Sequence, residues 1–298
     1  MNPQHPEHHH HIIHDGRIAR LIEDALMEDL GVGDVTTDAI VSPELSGRGD
    51  IIAKGAGIVS GLEVAGVVFS LVDTGLEYET FVPDGSEVDS LTVIGRISGP
   101  LSGILKGERT ALNILQRMSG ISTLTRKFVH AVDGTRAVIL DTRKTPPGLR
   151  VLDKFAVRLG GGANHRFGLD DMVLIKDNHI AAAGSITLAV QRVNAYLAEH
   201  QLHLPVEVET DNLAEVSEAL ACPGVTRIML DNLSLDETRS AVALIRGKSG
   251  SKIEIEASGN VTLQTVRGIA ETGVDFISVG ALTHSVPALD ISLDITSG

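Results

Sequence analysis

Arg143, Lys144, Arg166 and Lys176 are the residues whose types and spacing point first to chemistry. Arg143 and Lys144 follow a short apolar run, Ala137 to Leu140, through Asp141 and Thr142. Lys176 follows a second run, Met172 to Ile175. Arg166 and His165 lie between the runs in a glycine-rich stretch after Gly160-Gly-Gly162. Arginine presents a planar fork to carboxylate or phosphate, and lysine a point charge. Four such groups brought to one rim would grip a small anion; left apart, they are a solvated basic face. Residues 141–176 carry seven lysines and arginines against four aspartates in a chain whose formal net charge is −14. Positive charge is thus concentrated where the rest of the chain is acidic. Lys154 and Arg158, on a helical pattern, read as solvated surface charges.

Further strand-like runs end in other polar groups. Glu207-Val-Glu209-Thr210 and Leu230-Asp231-Asn232 each close an apolar run. If both ends face one mouth, Glu209 and Asp231 form a carboxylate pair able to bind sugar hydroxyls or Mg2+, which takes oxygen ligands. The alternative is that they cap the helices that follow. Ser258-Gly259-Asn260 and Ser278-Val279-Gly280-Ala281 supply small residues after the last two runs. There, backbone N–H groups and a helix N-terminus can approach a phosphate. Cations, an acidic pair and a neutral cradle together suit a phosphorylated sugar that carries further negative charge.

These residues need strands to carry them. Runs at 137–142, 172–177, 205–210, 226–231, 252–257 and 275–280 are too short for helices and rich in branched residues. Amphipathic helical patterns stand near 151–159, 185–199, 213–221, 235–246 and 262–272. Alternating strand and helix predicts a parallel sheet, closed into a barrel or open, with its chemistry at the strand C-termini. Before it, a helix from about Asp15 ends at Gly31 and Gly33. Residues 48–110 read as a small β-rich domain around a helix at Val64–Val72, with Ser102–Leu105 among its strands. Glu108–Val132 is a long helix or a pair broken near Gly120 and Ser122, with Arg109 at its opening. Leu289, Ile291, Leu293 and Ile295 alternate with polar residues, a half-buried strand that returns to the first domain. The expected organisation is a His-rich tail (1–14), an α+β domain with its connecting helix (15–130), an α/β domain (131–286) and the returning strand (287–298). His5 and His8–His11 in the tail are a polar tail rather than a metal site.

Bulk properties exclude several classes. Apolar residues make up 43% of the 298 positions, aromatics 3%, and tryptophan is absent. The core is therefore built of Val, Ile, Leu and Ala, as suits helices on a parallel sheet. The net charge and a pI near 5.2 argue against nucleic-acid binding. No run is long enough to span a membrane, and no secretory pattern opens the chain. The lone cysteine, Cys222, excludes an internal disulfide. A cytoplasmic protein is expected.

Several stretches carry a specific resemblance: DTRKTPPGLR, GGGANHRFGLDDMVLIKDNHI, VEVET, IMLDN, ASGN and SVGALTHSVPALDISL. In this order, from about Leu21 to the C-terminus, the chain resembles the quinolinate phosphoribosyltransferases. It departs at Pro146, where family members more often have threonine. The resemblance implies a barrel-like parallel α/β domain of about six strands. It implies transfer of phosphoribosyl from phosphoribosyl pyrophosphate to quinolinate, giving nicotinate mononucleotide, pyrophosphate and carbon dioxide. Arg143, His165, Arg166 and Lys176 would clamp quinolinate, joined by Arg109 from a neighbouring subunit of a dimer or larger homo-oligomer. Lys144 would meet pyrophosphate with Mg2+, and Thr145 would bind substrate through its backbone. Glu209 and Asp231 would hold ribose hydroxyls or the metal; Ser258, Gly259, Asn260, Ser278, Gly280 and Ala281 would cradle the 5′-phosphate. The rivals are a Schiff-base aldolase using Lys144 or Lys176, a non-catalytic binder of an anionic metabolite, and a related transferase with another anionic substrate.

Overall fold

The structure is a computed structural model and describes residues 15–249 and 252–297. The His-rich tail lies outside the described residues. In chain order the early elements are α1 (Gly16–Leu30), α2 (Val35–Ile40), β1 (Ser46–Ala53), β2 (Gly57–Ile58), α3 (Leu62–Val72), β3 (Glu77–Thr80), β4 (Glu87–Val88), β5 (Thr92–Pro100) and α4 (Leu101–Ala131). They are followed by β6 (Val138–Leu140), α5 (Arg150–Leu159), β7 (Val173–Ile175), α6 (Asp177–Ala183), α7 (Ile186–Glu199), β8 (Val206–Thr210) and α8 (Leu213–Ala221). The last are β9 (Arg227–Asp231), α9 (Leu235–Ser249), β10 (Glu254–Ser258), α10 (Val266–Ala270), β11 (Phe276–Ser278), α11 (Ala281–His284) and β12 (Ile291–Ser297).

The chain divides into two compact units. The first gathers residues up to Arg126 with Thr145–Gly161 and the segment from Val286 onward. Its sheet is antiparallel, in the order β12-β1-β5-β3. The C-terminal strand therefore does return, pairing Leu293 with Ile51. α1 begins at Asp15, whose carboxylate accepts from the Arg17 N–H at 2.9 Å, and buries Ile18, Ile22 and Leu26. α3 buries Leu62, Val64, Ala65, Val68 and Phe69.

α4 differs from expectation in two ways. It absorbs Ser102–Leu105, read from sequence as a strand, and it runs unbroken through Gly120 and Ser122. Those small residues are there for close approach. A Cβ on Gly120 would stand 2.3 Å from the Pro287 carbonyl oxygen. The Ser119 hydroxyl accepts from the Ser60 N–H at 2.9 Å, and the Ser122 hydroxyl donates to the Ala156 carbonyl at 2.7 Å. Arg109 consequently stands well inside the helix, exposed, rather than opening it.

Residues 145–161, expected within the α/β domain, belong with the first unit. The cause is α5, whose Leu152, Asp153, Phe155, Ala156 and Val157 are buried. Arg117 on α4 holds Asp153 through two contacts at 2.8 and 2.7 Å, and Arg126 Nε donates to the Gly160 carbonyl at 3.0 Å. Lys154, read as a solvated charge, is only 3% exposed because it shares this packed face.

The second unit holds residues 127–144 and 162–285. Its six strands are parallel, in the order β6-β11-β10-β9-β8-β7, so β6 and β7 are the sheet's edges. Side chains alternate between faces along each strand. Ile175, Val206, Val208, Ile228, Leu230, Ile255, Ala257 and Ile277 form one buried apolar face. The other face carries Leu174, Lys176, Glu207, Glu209, Arg227, Met229, Asp231, Glu254, Glu256, Ser258 and Ser278, with Glu209 beside Met229 and Ser258 beside Asp231. Because the strands are parallel, their polar C-termini emerge at one edge. α6 and α11 were not expected; α6 buries no residue, so no apolar pattern announces it.

Candidate active site

A cavity of about 510 Å3 opens at that edge. It falls within the size range of small-molecule sites. Its wall includes Arg143, Lys144, Arg166 and Lys176 from the ends of β6 and β7 and the loop between them, Glu209 and Asp231 from β8 and β9, and Ser258, Gly259, Asn260 and Ser278 after β10 and in β11. His165, Glu256, Met229 and Leu174 also line it. The three expected zones are thus parts of one cavity within one unit.

The cationic zone is tightly built. Asp141, fully buried at the end of β6, accepts from the His165 N–H at 2.9 Å and from Asn164 Nδ2 at 2.5 Å. Ala163 bridges to Leu140 in parallel, so the loop is pinned against the sheet edge. Arg166 donates to the Met172 carbonyl at 3.0 Å. Burial, and then the charge of Arg143, push the Arg166 guanidinium below its ordinary value. Among the described residues, Arg143 Nε is buried without a hydrogen-bond partner. Two guanidinium groups that repel each other at a buried rim favour an anion between them. Lys176 Nζ is ion-paired with Glu209. Lys144 is exposed, and a Cβ on Gly280 would stand 3.1 Å from its Cδ, so the glycine leaves room for the lysine chain.

His165 plays a part the sequence did not suggest. Its Nδ1 accepts from the Arg166 N–H at 2.8 Å. Its Nε2 lies 3.1 Å from Glu207 and 3.4 Å from Glu256, both fully buried. Arg227, stacked 4.2 Å from the Phe276 ring centre, pairs with Glu256 at 3.1 Å. Burial opposes the imidazolium, but the two carboxylates outweigh it and raise His165 to about 9. Burial and the charge of Glu256 raise Glu207 to about 7. The group therefore draws in a proton beyond the one on Nε2. The Arg166 N–H meets Nδ1, so the shared protons lie on the Nε2 side, among the ring and the two carboxylates. His165 lines the cavity where it was expected, with Nδ1 toward the Arg166 N–H and Nε2 toward the two carboxylates.

The chain as a whole has counterparts among known proteins. The description "Quinolinate phosphoribosyl transferase, C-terminal domain" matches residues 121–294, and the corresponding N-terminal domain matches residues 34–119. The chain belongs to the quinolinate phosphoribosyltransferase family. A quinolinate phosphoribosyltransferase [decarboxylating] 1b from Nicotiana tabacum is 47% identical over 290 residues, 92% of this chain and 81% of that protein. A probable nicotinate-nucleotide pyrophosphorylase [carboxylating] from Synechocystis is 47% identical over 270 residues, 91% of this chain and 90% of the other. The solved nicotinate-nucleotide pyrophosphorylase of Francisella tularensis superposes with a TM-score of 0.87 at 38% identity, covering 94% of this chain and 96% of that one.

Within this quinolinate phosphoribosyltransferase fold, several expected site residues lie away from the cavity wall. Arg109 is on α4 of the first unit. Thr145 also falls in the first unit, its hydroxyl accepting from Arg150 Nε at 3.1 Å. Gly280 and Ala281 stand at the start of α11 and do not line the cavity, although Gly280 shapes Lys144. Thr142, Asn232 and Glu256 line it and were not singled out. Glu256 was legible in principle: it stands two residues before Ser258 and so shares its face. The oxygen donors of Glu209 and Asp231 have the chemistry of a Mg2+ site. One Glu209 oxygen is engaged by Lys176 and one Asp231 oxygen by Asn232 Nδ2 at 2.7 Å, which suits contact through hydroxyls or water better than a full carboxylate shell.

Proposed function

We infer that this chain catalyses phosphoribosyl transfer from phosphoribosyl pyrophosphate to quinolinate with decarboxylation, a step of NAD biosynthesis. The observation that carries the reading is the shared face of parallel strands, which brings Arg143, Arg166, Lys176, Glu209, Asp231 and Ser258 to one cavity. Family membership supports it.

Arg143, Arg166 and Lys176 bind the two carboxylates of quinolinate, with the first arginine supplying an unpartnered buried N–H. Binding a dianion there draws Lys176 from Glu209, which frees that carboxylate for the ribose hydroxyls. Asp231 binds beside it. Ser258, Gly259 and Asn260 take the 5′-phosphate, and Lys144 meets the pyrophosphate. Held in line, the pyridine nitrogen attacks the anomeric carbon as the bond to pyrophosphate breaks. Glu209 and Asp231 stabilise positive charge developing on the ribose. The quaternised ring then accepts the electron pair left when the C2 carboxylate departs as carbon dioxide, and C2 takes a proton. No protein nucleophile is required; positioning and charge supply the acceleration. Glu209 and Asp231 would hold Mg2+ through hydroxyls or water, and the ion would supply positive charge against the pyrophosphate. Arg109, exposed on α4, is proposed to complete the site of a neighbouring copy, which makes a dimer the smallest active form. The lone, unpaired Cys222 supports a reducing compartment such as the cytoplasm.

Purified protein supplied with both substrates and Mg2+ is expected to release carbon dioxide and form nicotinate mononucleotide; absence of both products rejects the reading. The aldolase alternative is not favoured. Lys176 is held by the Glu209 carboxylate rather than in the apolar pocket that makes a lysine nucleophilic.

A further inference from the structure

The turn after β9 contains a side chain with no assigned task. Asn232 has φ +55°, in the left-handed region that asparagine enters more readily than most residues. Its backbone N–H donates to the Ser258 carbonyl at 2.9 Å, tying the end of β9 to that of β10. Its side chain then reaches both ways. Nδ2 donates to Asp231 Oδ2 at 2.7 Å, and Oδ1 accepts from Asn260 Nδ2 at 2.9 Å. The same carboxamide covers Gly259, where a Cβ would stand 2.2 Å from Oδ1. Gly259 and Asn260 also have positive φ, +93° and +47°. Three unusual backbone positions are thus arranged around one amide. The chemistry explains the choice. A carboxylate needs a donor, a neighbouring NH2 needs an acceptor, and an amide offers one of each without charge.

We propose that Asn232 is a positioning residue, a strut that fixes the Asp231 carboxylate and the Asn260 carboxamide at a set separation and thereby matches the cavity to the ribose 5-phosphate portion of phosphoribosyl pyrophosphate. The proposal rests on the functional reading above and deepens it. Gly259 is the strut's counterpart: it is glycine because the amide occupies the space a side chain would need.

The test is equilibrium titration of the whole protein with phosphoribosyl pyrophosphate and Mg2+, and separately with quinolinate, alongside turnover of the wild type. Asn232→Gly keeps the left-handed backbone and removes the strut. Asn232→Asp keeps the acceptor toward Asn260 but sets an oxygen against Asp231. Each is expected to raise the Kd for phosphoribosyl pyrophosphate about tenfold, the scale of a lost hydrogen bond to a charged group, and to leave the Kd for quinolinate within about twofold. Gly259→Ala, which drives a methyl into the amide, is expected to reproduce the loss in the wild-type background and to cost less on top of Asn232→Gly. An Asn232→Gly protein that binds phosphoribosyl pyrophosphate as tightly as wild type overturns the strut, as do equal losses for both ligands. A wild type that binds but forms no mononucleotide overturns the functional reading and leaves the strut standing; one that does not bind overturns both.

Discussion

Arg143 and Arg166 face the same cavity with like charge, and the two differ in what already holds them. Arg166 is anchored to the Met172 carbonyl, whereas Arg143 Nε has no hydrogen-bond partner among the described residues. Arg143→Ala is therefore expected to weaken quinolinate binding by about 2–3 kcal/mol, the range for a charge-assisted hydrogen bond, with little change for phosphoribosyl pyrophosphate. Calorimetric titration with each ligand checks this, and equal losses would contradict the zoning of the cavity. His165 leads to a different kind of prediction, because its nitrogens serve the protein. His165→Gln can still place an N–H between Glu207 and Glu256, while His165→Ala leaves two buried carboxylates facing each other. The alanine variant should unfold more easily than the glutamine variant by about 2 kcal/mol, the cost of an unsatisfied buried group. Equal stability in denaturant titration would show that the ring does not hold the two carboxylates' repulsion in check.

At the scale of elements, α4 shows what a linear pattern hides. Gly120 and Ser122 resemble a break when read along the chain, yet they are contact points for segments distant in sequence. Gly120→Ala should keep the helix and still destabilise the protein, by about 1–3 kcal/mol for an overpacked contact, because its methyl meets the Pro287 carbonyl. Circular dichroism melting tests this; a raised melting temperature would mean that helix propensity outweighs the clash. The strands of the second unit were legible for the opposite reason. β6 and β7 write themselves as short apolar runs, and the first polar residues after them mark the strand ends, at Asp141 and Lys176. What stayed hidden depends on pairing across strands or loops: the buried Glu207 and Glu256 beside His165, the transfer of α5 to the first unit by Asp153 and Arg117, and the amide of Asn232. Apart from the strand period that places Glu207 and Glu256 on the cavity face, none of these contacts has a periodic signature.

For the molecule as a whole, formal charge of −14 surrounds a cavity rimmed by cations. Attraction of a dianion must be local, and salt will weaken it through screening. The proposed sharing of sites between copies gives a sharper test. Inactive Arg109→Ala and Arg143→Ala proteins, unfolded and refolded together, should recover about a quarter of wild-type activity, since half the dimers are mixed and each mixed dimer holds one intact site. No recovery would place Arg109 outside the shared site. One feature of the first sheet reaches back into biogenesis. β12 covers the flank of β1, yet it follows the entire parallel sheet in chain order. Throughout synthesis of the parallel sheet, the nascent β1 presents unpaired peptide groups to any passing strand. Maturation of the first sheet thus waits on synthesis of residues 291–297, and a chain that lacked them would be open to aggregation rather than merely shortened.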